Sequence, residues 1–244
     1  MQVSLFVTCL VDQFWPSVGR ATVTVLRRAG CQVAFDPRQT CCAQPAFNAG
    51  YLDEARRVAK SFIEVFERSK ADAIVTPSGS CCAMLHRLRD LFEDDAAWRV
   101  RAGRVAEQTH ELGSFLVDVL GVDDLGARYE GRVSWHDACH GLRDLGIKDQ
   151  PRRLIRNVEG TELVELPDSD AESCCGFGGT FSVKYPEISV AILDRKLEAL
   201  RKLEIDAVVS GDVSCLMQIG GRLQRQGSPI ATMHLAELLA RGAS

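Results

Sequence analysis

The chain has 244 residues, 46% of them hydrophobic, and a formal net charge of −4, so it can fill a sizeable core and offers no basic stripe for nucleic acid. It contains no uninterrupted apolar run long enough to span a bilayer, and its N-terminus lacks the basic and apolar regions of a signal peptide. We therefore expect a cytoplasmic protein with no membrane span and no nucleic-acid partner, whose ten cysteines point to metal or redox chemistry rather than disulfides.

The chain begins with two apolar segments that each lead to cysteine. Residues 3–8 predict a short buried strand, and Cys9 follows it directly. The second segment, which starts at Cys31, leads to the adjacent pair Cys41 and Cys42. We interpret Cys31 as a small buried hydrophobic residue, because free cysteine is commonly buried.

A helix and a strand come next. Apolar residues at helical spacing predict an amphipathic helix over 52–66, with Asn48 as a plausible cap. The helix leads into an apolar strand over 73–76, and Cys81 follows at the start of another predicted helix. The neighbouring Cys82 is interpreted as a packing residue, because leucine stands at the matching place in the second half of the chain.

The stretch 121–128 is rich in glycine and aspartate and marks the predicted boundary between two halves. The first half covers residues 1–125 and the second covers 126–244. Each half is predicted to be one cysteine-rich repeat.

The second half repeats the cysteines of the first at matched spacing. Its members are Cys139, the pair Cys174 and Cys175, and Cys215. The first cysteine and the pair are 32 and 35 residues apart in the two halves, and the pair and the last cysteine are 39 and 40 residues apart. Agreement at three anchors indicates an internal duplication.

Strands alternate with helices in both halves. In the second, Pro186 suits the first turn of a long amphipathic helix that leads into an apolar strand over 207–210. This order predicts an α/β fold with two pseudo-symmetric halves, each a parallel sheet flanked by helices. The cysteines should then lie at the carboxyl ends of the strands, where ligands gather in such sheets.

Each half therefore brings four sulfur atoms to one place, and four thiolates suit zinc or an iron–sulfur cluster. Adjacent cysteines cannot easily form a disulfide with each other, but they can bind neighbouring metals. The predicted metal ligands are Cys9, Cys41, Cys42, Cys81, Cys139, Cys174, Cys175 and Cys215. The glycines that would let the backbone approach an inorganic core are Gly176, Gly178 and Gly179.

Two histidines flank Cys139. His136 and His140 are candidates to relay protons, to supply a metal ligand or to orient a hydroxy-acid substrate, because imidazole titrates near neutral pH. Hydrogen bonding that fixes the loop is the structural alternative.

Three interpretations of the cysteines remain open at this point. An iron–sulfur protein is favoured over structural zinc, because the short Cys-x-x-Cys knuckles of zinc sites are missing. Zinc in one half beside a cluster in the other is compatible with the pattern. A thiol–disulfide exchanger is the third interpretation, and it would normally carry one Cys-x-x-Cys on a helix, a motif that this chain lacks.

The duplicated motif resembles the cysteine-rich CCG-domain family, which includes the heterodisulfide reductase B subunit and the glycolate oxidase iron–sulfur subunit. The resemblance rests on Ser-Cys-Cys-Gly-Phe-Gly-Gly-Thr-Phe over 173–181 and His-Asp-Ala-Cys-His over 136–140. Within that family the chain is most similar to the lactate-utilisation branch.

The resemblance implies an iron–sulfur, electron-transfer component of a complex that oxidises L-lactate, a small 2-hydroxy acid, to pyruvate, with other iron–sulfur and lactate-utilisation subunits as partners. Relatives carry a further cysteine three residues before the last one, where this chain has Ser78 and Asp212. Fewer thiolates favour a four-iron cluster or another metal. Ala43 replaces the family glycine in the first half.

Overall fold

Two four-stranded parallel sheets form the frame of the protein, which a computed structural model describes over residues 1–242. The strands are β1 (Gln2–Leu5), β2 (Gln32–Ala34), β3 (Ala73–Thr76), β4 (Thr109–Glu111), β5 (Arg128–Trp135), β6 (Glu159–Leu163), β7 (Ala207–Ser210) and β8 (Ala231–His234). Their order is β2-β1-β3-β4 in the first sheet and β6-β5-β7-β8 in the second. The predicted α/β fold with two similar halves is confirmed.

Helices flank both sheets. They are α1 (Cys9–Phe14), α2 (Pro16–Arg28), α3 (Gln44–Asn48), α4 (Leu52–Glu67), α5 (Gly79–His86), α6 (Ala96–Glu107), α7 (Leu112–Ser114), α8 (Cys139–Arg143), α9 (Asp149–Arg156), α10 (Asp168–Ala171), α11 (Thr180–Lys184), α12 (Pro186–Arg201), α13 (Val213–Arg225) and α14 (Leu235–Leu239). A 3₁₀ turn covers Leu88–Phe92 and a π turn covers Phe115–Val119. Within residues 1–242, no helix is both long and apolar enough to cross a membrane.

The two long helices α4 and α12 have 16 residues each and pack their apolar faces against the sheets. Pro186 is the first residue of α12, as predicted, because its missing N–H is not needed there. The predicted cap Asn48 is wrong. Asn48 is the last residue of α3, and Gly50, with φ of 83°, turns the chain before α4 begins at Leu52.

The central strands of the two halves pair in the same register. Val3 of β1 pairs with Ala73, and Val133 of β5 pairs with Ala207 in the same way. Just beyond these strands, the Phe6 N–H donates to the Val75 carbonyl at 2.9 Å. The His136 N–H donates to the Val209 carbonyl at 2.8 Å. Phe6 and His136 therefore occupy equivalent places in the two halves.

One hydrophobic core joins the halves. Val3 and Val25 from the first half are fully buried in the same cluster as Val133 and Leu235 from the second. The last helix, α14, packs against α2 across this core. Burial of such side chains contributes about 1.5–3 kcal/mol each, so the halves stabilise one another.

The carboxyl ends of the inner strands lead straight into α1, α5, α8 and α13. Helices α5 and α8 approach closely, since a Cβ added at Gly79 would lie 3.2 Å from the Gly141 Cα. The strand-end edges of the two halves thus face each other, and the loops that carry the cysteines meet between them.

Candidate metal centre

The first group of cysteines forms a chain of sulfur contacts. Cys42 Sγ lies 3.3 Å from Cys81 Sγ, Cys41 is in hydrogen-bond contact with Cys42, and Cys9 is in contact with Cys41. We call these four residues the first quartet. Cys9 is the first residue of α1 and Cys81 lies in the first turn of α5, where the helix dipole stabilises a thiolate.

The second group repeats this arrangement. Cys175 Sγ lies 3.2 Å from Cys215 Sγ, and Cys174 is in contact with both Cys139 and Cys175. We call Cys139, Cys174, Cys175 and Cys215 the second quartet. Cys139 begins α8, and Cys215 lies in the first turn of α13.

The sulfur separations suit metal ligands better than disulfides. A disulfide bond is about 2.05 Å long, whereas two sulfurs that bind one tetrahedral metal at about 2.3 Å lie about 3.8 Å apart. In the described part of the chain all ten cysteines are free thiols. The 3.2 Å and 3.3 Å contacts are too long for a disulfide and bring the two sulfurs of each pair to within about 0.6 Å of the spacing around one tetrahedral metal.

Both quartets line the same cavity, which has a volume of about 470 Å³ and lies between the two halves. Among the other residues that line it are Gln44, His140, Phe177, Gly178, Gly179 and Val183. The eight predicted ligands therefore form two sets of donors that face a single space.

Ser78 and Asp212, which stand where relatives carry a further cysteine, hold the cysteine-bearing helices in place. The Ser78 Oγ accepts a hydrogen bond from the Cys81 N–H at 3.2 Å. The Asp212 carboxylate accepts from the Ser214 N–H at 3.2 Å and, across the boundary between halves, from the Ser80 N–H at 2.9 Å. Asp212 therefore caps its own helix and joins it to α5.

The turn after each cysteine pair has a left-handed backbone. Gly176 has φ of 82°, and Ala43, at the equivalent place, has φ of 72°. This turn lets the Gly176 N–H donate to Cys174 Sγ at 3.3 Å. Gly178 and Gly179 also have positive φ angles and line the cavity, and their contact with an inorganic core stays a prediction.

The crowding of the thiols opposes the build-up of negative charge. Contact with Cys41, followed by burial, raises the pKa of Cys9 far above its ordinary value, and contact with Cys174 does the same to the pKa of Cys139. Hydrogen bonds with Cys139 and Cys175 lower the pKa of Cys174, so that one thiolate is stabilised. Four thiolates in one quartet need a cation among them, so the donor set fits a metal ion or cluster.

The two candidate histidines have different surroundings. His136 is 1% exposed and does not line the cavity. Its ring lies within 4.8 Å of Cys175 Sγ and Cys215 Sγ, and neither ring nitrogen has a hydrogen-bond partner among the described residues. His140 lines the cavity, and its Nδ1 lies 2.5 Å from Asp144 Oδ2.

Lys196 is a residue of the site that the sequence analysis missed. It is 1% exposed, and its ammonium donates to the carbonyl oxygens of Asp170, Ala171 and Ser173 at 2.9–3.1 Å. It therefore fixes the loop that leads to Cys174. A lysine on the otherwise apolar face of α12 was the available signal, because buried lysine needs polar partners.

Cys31 and Cys82 lie apart from the quartets. Cys31 is buried in the core shared by the halves, and Cys82 is buried beside Glu111, away from the cavity. Burial raises the pKa of both thiols, which fits their interpretation as packing residues.

Comparisons with known proteins agree with the duplicated motif. The family model described as a cysteine-rich domain (CCG) matches residues 3–86 and 133–220, once in each half. "Lactate utilization protein A" of Anoxybacillus flavithermus is 51% identical over 239 residues, which cover 98% of this chain and 99% of that protein. The protein of the same name from Oceanobacillus iheyensis is 46% identical, with 98% and 96% covered.

A solved structure shares the fold. A hypothetical protein from Helicobacter pylori covers all of this chain and 49% of its own, with a TM-score of 0.63 and 10% sequence identity. At this identity the likeness concerns the fold alone.

Proposed function

The chain belongs to the cysteine-rich CCG domain family, and we propose that its two quartets hold iron–sulfur clusters in a protein that carries electrons during the oxidation of L-lactate to pyruvate. The observation that carries this proposal is that eight cysteines, in two matched quartets, line one cavity. The choice of L-lactate rests on the name of the relatives, which are about half identical to this chain over nearly its full length.

Iron–sulfur clusters are favoured by the kind and the placement of the donors. Each quartet consists of sulfur only and contains two adjacent cysteines, which can bind neighbouring irons. A four-iron cluster would store and release single electrons at each quartet. The N–H groups at the starts of α1, α5, α8 and α13 would stabilise the negative charge of such a cluster.

The protein's own residues supply the remaining functions. Oxidation of a 2-hydroxy acid releases two electrons and two protons, and His140 lies on the cavity where a proton can be taken up. Asp144 accepts the Nδ1 proton of His140, which leaves Nε2 as the basic atom. His140 would then act as a general base toward a molecule in the cavity.

We propose that the protein works within a complex of other iron–sulfur and lactate-utilisation subunits. Val183, which lines the cavity, has 80% of its surface exposed, and Tyr185 beside it is 55% exposed. Exposed apolar side chains next to a redox cavity fit contact with a partner protein. Transfer of electrons to a downstream acceptor would take place across that contact.

The experiment is measurement of iron, zinc and acid-labile sulfide in protein purified without oxygen. We expect stoichiometric iron and sulfide in the wild type. Cys42→Ser should lose the metal of the first half only, and Cys175→Ser should lose the metal of the second half only. Cys31→Ala is the matched control, because this cysteine lies in the core and should not affect the metal content.

Two results would lead to other functions. Zinc alone, unchanged after reconstitution with iron and sulfide, would contradict electron transfer and indicate a zinc-stabilised interaction module. Turnover of a disulfide by metal-free protein, dependent on a single cysteine pair, would indicate a thiol–disulfide redox protein.

A further inference from the structure

The surroundings of the two quartets differ at two equivalent positions. His136 of the second half matches Phe6 of the first, because both follow the central strand with the same backbone hydrogen bond. Lys196 of α12 matches Phe62 of α4, because both are the eleventh residue of a 16-residue helix. A polar pair in the second half thus replaces an aromatic pair in the first.

The aromatic pair is a packed contact. The rings of Phe6 and Phe62 meet edge to face with centroids 4.9 Å apart, and both side chains are fully buried. Neither ring has a nitrogen, oxygen or sulfur atom that could bind a metal. The first half therefore has no donor at these two positions.

The second half buries an imidazole, that of His136, whose nitrogens have no hydrogen-bond partner within the part of the chain that the structure describes. Buried polar groups in proteins are nearly always hydrogen-bonded, so two orphaned nitrogens on one ring need an explanation. The ring lies within 4.8 Å of the sulfurs of Cys175 and Cys215, the two most buried members of the second quartet.

We propose that His136 is a nitrogen ligand of the metal centre in the second half, which therefore has a mixed nitrogen and sulfur donor set, unlike the first centre. This inference rests on the proposed function for the identity of the metal. It accounts for the unpartnered nitrogens, because one of them binds the metal.

The burial of the ring supports this assignment. His136 is 1% exposed, so bulk solvent cannot reach its nitrogens, and the donors beside it are the sulfurs of Cys175 and Cys215. A role as proton donor to a molecule in the cavity is disfavoured, because His136 does not line it.

The proposal predicts that the two centres have different reduction potentials. His136 would add a neutral donor to four cysteines and so would add no negative charge to the second centre. The buried ammonium of Lys196, which interacts with the charges of Cys175 and Cys215, stabilises the reduced form of that centre. The second centre is therefore the one of higher potential.

The test is pulsed electron paramagnetic resonance on reduced protein labelled with ¹⁵N at histidine. We expect a strongly coupled nitrogen in the wild type and in Cys42→Ser, which removes the first centre. The coupling should vanish in Cys175→Ser and in His136→Phe, which copies the first half. His140→Gln should retain it. A cluster signal from the second half without histidine coupling would overturn the proposal.

A failure of the proposed function can be distinguished from a failure of His136 as a ligand. If the second half holds zinc instead of a cluster, zinc-edge X-ray absorption of Cys42→Ser still tests the ligand. Nitrogen together with sulfur around zinc would support His136 as a ligand, and a shell of four sulfurs would contradict it. Protein that binds neither metal after anaerobic reconstitution would overturn both proposals.

Discussion

Replacement of Gly176 by alanine tests the close fit of the turn that carries the second cysteine pair. A Cβ at this position would lie 2.4 Å from the carbonyl oxygen of Ser189, which is far inside van der Waals contact. The left-handed backbone costs a residue other than glycine about 1–2 kcal/mol. The overlap adds about 1–3 kcal/mol, because the first turn of α12 must move. We therefore expect Gly176→Ala to lower the free energy of unfolding by about 2–5 kcal/mol.

Ala43 provides the matched control, because it has the same backbone conformation in the first half, with φ of 72°. Ala43→Gly relieves the backbone strain but increases the conformational freedom of the unfolded chain, a difference of about 0.4–1 kcal/mol. The stability of this variant should therefore stay within about 1 kcal/mol of the wild type.

Anaerobic urea denaturation of both variants, without metal, gives the two changes in free energy. A cost for Gly176→Ala below about 2 kcal/mol, which backbone strain alone would explain, would refute the close contact with Ser189. A large loss of stability in Ala43→Gly would refute the strain assigned to the first turn. In metal-loaded protein, Gly176→Ala should also weaken binding in the second half, because the Gly176 N–H bonds to Cys174.

Three further predictions concern charge and ligands. Lys196→Met should lower the midpoint potential of the second centre by tens of millivolts and leave that of the first centre unchanged, because it removes a buried cation. Redox titration followed by electron paramagnetic resonance measures both potentials, and equal shifts of the two centres would contradict this prediction. Burial raises the pKa of Glu111 to about 7 from 4.5, so the wild type should lose up to about 3 kcal/mol of stability as pH rises through that window. Glu111→Gln should lack this loss in urea denaturation at pH 4.5 and 8, and parallel curves for the two proteins would contradict it. Cys9→Ser should remove more metal from the first half than Cys139→Ser removes from the second half, because His136 supplies an additional donor in the second half. Equal losses of metal in the two variants would contradict that additional ligand.

The pairing of cysteines within each half could be predicted from the sequence alone. Cys9 and Cys81 follow neighbouring parallel strands, so their positions at one edge depend only on the βαβ order. The matched spacing in the second half predicted the same for Cys139 and Cys215. The structure places all four cysteines of each half on one cavity, with one sulfur pair of each half at 3.2–3.3 Å, and binding of metal by the quartets stays a prediction.

Other features depend on contacts that no local pattern encodes. That both quartets line one cavity follows from the packing of α5 against α8 and of α14 against α2. Asp212 caps both cysteine-bearing helices because the halves face each other, so its role could not be inferred from its own segment. The predicted cap Asn48 was wrong because the sequence did not reveal the short helix α3 before Gly50.

The importance of Lys196 could have been inferred from the duplication. Comparison of α4 with α12 places Lys196 opposite Phe62, and a lysine at a buried position indicates a special environment. The same comparison places His136 opposite Phe6. Alignment of the two halves therefore contained a signal for the difference between the two centres, beyond the cysteines that they share.

The most direct test of electron transfer is the redox state of the centres when lactate is supplied. The protein should be purified without oxygen together with its bound partners, mixed with L-lactate, and frozen for electron paramagnetic resonance. The proposed function predicts that L-lactate reduces the iron–sulfur centres and that pyruvate is formed in proportion to the electrons gained. Centres that dithionite reduces but that stay oxidised with L-lactate would contradict a place for this protein in lactate oxidation.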